Sequence, residues 1–157
     1  MEKMLIRGVT KDTDVARISV TKIPNTPGVA FKLFDALAKR KINVDIILQS
    51  VGRDSTKDIT FTVAKGNAEE TIESVKNVFD IEDKDIICDT SVAKISIVGA
   101  GMESHPGTAS KMFEALYERD INIDMIATSE IKISVLINLE DADRAVSAIH
   151  KAFFPAE

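Results

Sequence analysis

NTPGVAFKLFDALAKRKINVDIILQS (Asn25–Ser50) and SHPGTASKMFEALYERDINIDMIATS (Ser104–Ser129) carry one pattern twice. A shift of 79 positions lays Pro27 on Pro106, Gly28 on Gly107 and Ala30 on Ala109. Without a gap it then pairs Phe34 with Phe113, Ala36 with Ala115 and Leu37 with Leu116. The same register joins Ile42-Asn43 to Ile121-Asn122, Asp45 to Asp124 and Ser50 to Ser129. A match kept over that span reads as a duplicated structural unit.

Outward from the first copy, ARISVTKI (Ala16–Ile23) alternates apolar and polar residues as a half-buried strand does. Pro27-Gly28 interrupts the chain, and VAFKLFDALAKR then sets Val29, Leu33, Phe34 and Leu37 on one helical face. Val44–Val51 and Asp58–Ala64 are expected strands joined by the polar loop GRDSTK. NAEETIESVKNVF is an amphipathic helix with Asn67 as its expected N-cap, and Asp85–Thr90 is a closing strand. The order is β-α-β-β-α-β, a ferredoxin-like α+β unit with two helices on one face of an antiparallel four-stranded sheet.

The second copy reads AKISIVGA, a helix from Pro106 to Glu118, IDMIATS, KISVLIN and the helix DADRAVSAIHKAFF, and stops one strand short. Strand-like Met4–Thr10 is left over at the other end. An open sheet edge is costly, so this N-terminal strand is expected to cross over and complete the second sheet. The first unit, residues 14–91, is then inserted within the second, residues 4–10 with 92–155.

The 157 residues are 45% apolar and 29% charged, as in ordinary globular chains. A net charge of −5 lacks the basic surface that nucleic acid requires. Cys88 is the only cysteine, which excludes an internal disulfide and fits a reducing cytoplasm. The N-terminus has no apolar signal core, and no run nears the roughly 20 residues that cross a bilayer. The sequence reads as that of a soluble cytoplasmic protein with neither membrane nor nucleic-acid partners.

Chemistry concentrates in the repeated positions. Pro27 and Pro106 suit a helix entry, and Gly28 and Gly107 present no side chain to an approaching group. A helix start offers unpaired N–H groups and about half a positive charge, which suits a carboxylate. Asn43-Val44-Asp45 and Asn122-Ile123-Asp124 offer amide donors and carboxylate acceptors for an ammonium group. The plainer readings are a loop-to-helix turn and turn residues that satisfy their own backbone. Catalysis finds no foothold. His105 and His150 lack zinc spacing, and His105 reads as a loop residue touching a ligand or neighbour. Cys88 reads as a buried small residue. VGAGM (Val98–Met102) lacks the third glycine and the acidic residue of a dinucleotide site.

VGAGMESHPGTASKMFEAL with INIDMIATSEIKISVLI resembles the tandem ACT domains at the C-terminus of bacterial aspartokinases. NTPGVAFKLFDALAKRKINVDIILQS with DITFTV is similar to the first ACT domain of that family. The likeness covers essentially the whole chain. It implies an effector that ends the aspartate pathway, threonine or lysine or both, in feedback control of lysine, threonine and methionine biosynthesis. It carries one ligand site onto Asn25, Thr26, Pro27, Gly28, Val29, Ala30, Asn43, Val44, Asp45 and Gln49. The counterpart falls on His105, Pro106, Gly107, Thr108, Ala109, Asn122, Ile123, Asp124, Thr128 and Ser129.

In that family the pockets lie where ACT domains pair side by side, which implies a homodimer through ACT pairing. Some relatives carry Asp where this chain has Asn25, so threonine and lysine both stay open. The family's kinase domain, which brings ATP and Mg and phosphorylates L-aspartate, is expected elsewhere. The chain is then an excised regulatory fragment, or a separately translated small subunit that joins a kinase-containing one. No catalytic residue, metal or cofactor is expected in it. Two other readings remain. A regulatory subunit of acetohydroxyacid synthase also has an ACT unit, although its second half is no matching repeat. An RNA-binding module on the same fold needs exposed aromatics on its central strands, where Phe61 stands nearly alone.

Overall fold

The structure, a computed structural model, describes residues 5–100 and 106–155. The chain runs β1 (Leu5–Asp12), β2 (Ala16–Pro24), α1 (Val29–Lys39), β3 (Ile47–Val51), β4 (Thr56–Val63), α2 (Ala68–Phe79) and β5 (Ile86–Asp89). It continues through β6 (Val92–Ala100), α3 (Gly107–Tyr117), β7 (Met125–Thr128), β8 (Lys132–Asn138) and α4 (Ala142–Phe153). Asp14–Thr90 forms one compact unit, and the described residues on either side of it form the other.

One sheet has the order β3-β4-β2-β5 and the other β1-β6-β8-β7, antiparallel at every pairing. β1 therefore stands in the second sheet where β5 stands in the first. It pairs with β6 from Leu5 opposite Ala100 to Asp12 opposite Lys94, and Val9 packs against the core of that unit. The expected crossover is present, two residues longer at its end than Met4–Thr10; Met4 itself lies outside the described residues.

Alternation in β2 buries Ala16, Ile18 and Val20. A bulge between Val20 and Ile23, with Lys22 at φ 59°, returns Ile23 to the same buried row. α1 lays Val29, Leu33 and Leu37 on that row, and Phe34 stands edge-on to Phe61 of β4 with ring centroids 5.5 Å apart. In the second unit Met112 and Leu116 of α3 and Ile149 of α4 close over Ile95, Ile97, Val135 and Ile137. Each such side chain contributes about 1.5–3 kcal/mol on leaving water.

Three local expectations differ from the structure. Strand pairing begins at Ile47 rather than Val44, and at Met125 rather than Ile123. Asn67 precedes α2, yet its side chain caps nothing, and its carbonyl accepts instead from Thr71 Oγ1 at 2.7 Å. Cys88 is exposed, not buried, because β5 is an edge strand open at both Ile87 and Cys88. Local desolvation, and secondarily the Asp89 carboxylate, raise the Cys88 pKa above that of an ordinary thiol. At neutral pH the group stays protonated, so it remains a poor nucleophile for a different reason from the one its sequence suggested.

Candidate functional site

The two Pro-Gly turns start their helices differently. Gly28 is left-handed at φ 90° and precedes α1, with Lys32 N donating to its carbonyl at 3.0 Å. Gly107 is already the first residue of α3, and Pro106 precedes it with helical angles. Asn25, Thr26, Pro27 and Gly28 are exposed, as are Pro106 and Gly107. Asn25 N donates to Ser55 O at 3.0 Å, which ties the turn to the β3–β4 loop. Val29 and Thr108 are buried and Ala30 and Ala109 half-buried, so Val29 and Thr108 offer a ligand only backbone. His105 lies outside the described residues.

The Asn-x-Asp segments are built alike in both units. Lys41 and Asp120, 79 positions apart, take left-handed φ of 60° and 57° just past their helices. Lys41 N donates to Ala38 O at 2.9 Å and Ile42 N to Leu37 O at 3.0 Å. Asp120 N and Ile121 N repeat this with Tyr117 O and Leu116 O, both at 3.0 Å. This is the Schellman closure, with Ile42 and Ile121 as its buried apolar contacts. Three residues on, Asp45 N donates to Thr62 O at 3.1 Å and Asp124 N to Leu136 O at 2.8 Å. In the first unit Thr62 Oγ1 also accepts from Ile46 N at 3.1 Å. Asn43, Asp45, Asn122 and Asp124 are thereby held on the surface, with Val44 and Ile123 half-buried against their cores.

Turn and Asn-x-Asp do not meet within a unit. They flank opposite ends of α1, whose 11 residues span about 16 Å, and the same holds for α3. Gln49 and Thr128 belong with the turn instead. β3 runs parallel to β2 toward the turn end, and Gln49 pairs with Ile59 on the helix-covered face. Thr128 pairs with Ile133 in the same way, and Ser129 N closes the next turn on Lys132 O at 2.8 Å. One unit thus brings together the turn and a polar edge-strand residue, and displays Asn-x-Asp at its far end.

The RNA-binding reading finds no support in the geometry. Phe61 is fully buried under α1, so it provides no stacking surface for a base. His150 packs on Phe154 at 4.9 Å between ring centroids. Among the described residues, no group of three or more His, Cys, Asp or Glu is placed to hold a metal ion, and no helix is long and apolar enough to cross a membrane.

The family model for the ACT domain matches residues 18–79 and 95–153. The aspartokinase of Pseudomonas aeruginosa is 45% identical over 154 residues, covering 98% of this chain and 37% of that protein. The chain thus spans little more than a third of the curated relatives it matches. The ligand-free regulatory subunit of aspartate kinase from Thermus thermophilus is 44% identical, with a TM-score of 0.86 over 94% of this chain and 98% of that one. A structure of aspartokinase alpha and beta subunits superimposes with a TM-score of 0.85 at 41% identity, over 95% of this chain and 99% of that one.

Proposed function

The chain belongs to the ACT-domain family, as a tandem pair of the aspartokinase regulatory type, and from that premise we propose that it is the amino-acid-sensing, feedback-regulatory part of an aspartokinase. The observation that carries the mechanism is the placement of turn and Asn-x-Asp at opposite ends of one helix. A free amino acid has its carboxylate and ammonium on one carbon, so no single unit reaches both from these two ends. Two copies of a unit turned antiparallel, edge to edge, bring the turn of one beside the Asn-x-Asp of the other. Helix-start N–H groups then take the carboxylate. Asn43 and Asp45, or Asn122 and Asp124, take the ammonium.

The effector is threonine, lysine or both, and the state it favours is a homodimer through ACT pairing. A ligand that needs two units stabilises the paired state by its difference in affinity, and that difference is the source of the allosteric signal. The kinase-containing subunit that reads the signal holds ATP, Mg and L-aspartate. Threonine has about eight heavy atoms, and roughly 0.7–1 kcal/mol from each gives dissociation constants of about 1–100 micromolar. Similarity to the Thermus thermophilus regulatory subunit along nearly the whole length of both chains supports this assignment. Thermal-shift and calorimetric titration with each of the twenty amino acids tests it: threonine or lysine binds and raises the melting temperature, and a chain that answers to none of the twenty refutes it.

A further inference from the structure

Lys57 of β4 is only 8% exposed. It pairs with Ile23 of β2 and continues the core-facing row of Ile59, Phe61 and Val63, so its side chain rises on the helix-covered face of the sheet. The Phe34–Phe61 contact fixes where along that face it stands. α1 runs in the same direction as β4. Five residues back from Phe34, about 7.5 Å along the helix, is Val29, the first residue of α1. Four residues back from Phe61, about 13 Å along the strand, is Lys57. Lys57 therefore lies just beyond the start of α1, below the Pro27-Gly28 turn.

No hydrogen bond or ion pair within the described residues reaches its ammonium group, which is not sealed from solvent. The nearest acids in sequence are engaged elsewhere: Asp54 Oδ1 accepts from Thr56 Oγ1 at 2.6 Å, and Asp58 Oδ1 from Lys22 N at 3.0 Å. A cation at a helix start is unfavourable, since both carry positive charge, unless an anion joins them. Counting from the cross-strand pairs Ser19–Thr60 and Ser96–Ser134, the equivalent position in the second unit is Ile131, which is exposed. The charge is a feature of one unit only.

Resting on the feedback reading above, we infer that Lys57 is a ligand-recognising residue of the first-unit site, its ammonium and the start of α1 together holding the carboxylate of a free amino acid. The full chain, wild type and as Lys57→Met and Lys57→Arg, is titrated calorimetrically with L-threonine, L-lysine and L-threoninol, which replaces the carboxylate with an alcohol. Methionine keeps the buried stem and removes the charge. Lys57→Met is expected to weaken the carboxylate ligand about tenfold or more at one class of site, to leave threoninol unchanged, and to keep or raise the ligand-free melting temperature. Lys57→Arg restores most of the binding. Amino-acid binding by Lys57→Met within about twofold of wild type overturns the assignment, as does an equal loss for threonine and threoninol, which marks a structural role. So does a change in oligomeric state with carboxylate dependence intact, which marks a partner's acid as the true counterion. A wild-type chain that binds no amino acid defeats the feedback reading itself, a result separate from any of these.

Discussion

Gly28 and Gly107 occupy one place in the repeat and two places in backbone space. Gly28 stands at φ 90°, where an L side chain costs about 1–2 kcal/mol, whereas Gly107 is helical with open space where a Cβ would go. Gly28→Ala is therefore expected to destabilise its unit by about that amount, and Gly107→Ala to leave stability unchanged or raise it by up to about 0.5 kcal/mol. Urea unfolding followed by circular dichroism checks both, and equal losses would contradict the different helix starts. Cys88 gives a test by pH. Its folded pKa is raised, so the thiolate fraction at a given pH is smaller than for a free thiol. The rate of its alkylation by iodoacetamide should rise through an inflection above that of free cysteine, and an inflection at or below it would show that the desolvation is not felt.

β1 is the element on which the second unit depends. It supplies the strand beside β6, the packing of Val9, and an exposed ion pair between Lys11 Nζ and Asp143 Oδ1 at 2.8 Å that is worth little by itself. A chain lacking residues 1–12 should lose hydrogen-exchange protection in β6 and α4 while β2 and β4 keep theirs; equal loss in both units would show that β1 is not specific to one sheet. The need for this strand was legible in the sequence, because a four-stranded pattern repeated with one strand missing leaves an apolar run unassigned at the other terminus. The helices were legible too, since Val29, Leu33 and Leu37 repeat at the helical period and are all buried. What local pattern does not carry is contact made across the fold. Residues 44–46 look like strand, but Thr62 holds Asp45 and Ile46 through its hydroxyl, carbonyl and N–H outside any ladder. Cys88 alternates as a core residue would, and only its place on an edge exposes it. Lys57 reads as the last residue of the polar loop GRDSTK until its pairing in β4 with Ile23 and the start of α1 place it under cover. The candidate site residues stand out in the sequence as a repeated set, yet one helix length separates turn from Asn-x-Asp, so the proposed site draws on two copies.

At the scale of the molecule, the exposed apolar residues on the sheets gather on edge strands. β3 is exposed at every residue, with Ile47 and Val51 on the helix side and Leu48 on the other, and β7 shows Ile126 in the position equivalent to Ile47. An apolar edge with unpaired N–H and C=O groups invites another strand, and the proposed dimer supplies one. Placing a charge there opposes pairing without touching the core: Leu48→Lys removes an apolar side chain that is already half exposed. Its monomer should therefore fold as before, with the far-ultraviolet spectrum unchanged. The dimer should weaken, which sedimentation velocity across a concentration series reads directly. Because the proposed first-unit effector site draws turn and Asn-x-Asp from two copies, loss of pairing should carry loss of binding with it. At effector 100 times its dissociation constant the wild type gains about 2.7 kcal/mol, roughly 5–10 °C in melting temperature for a chain of this size. In Leu48→Lys the part of that shift belonging to the first-unit site should disappear. A variant that sediments as a monomer yet keeps the full shift would mean that one unit binds the effector alone, and the division of the site between copies would be wrong.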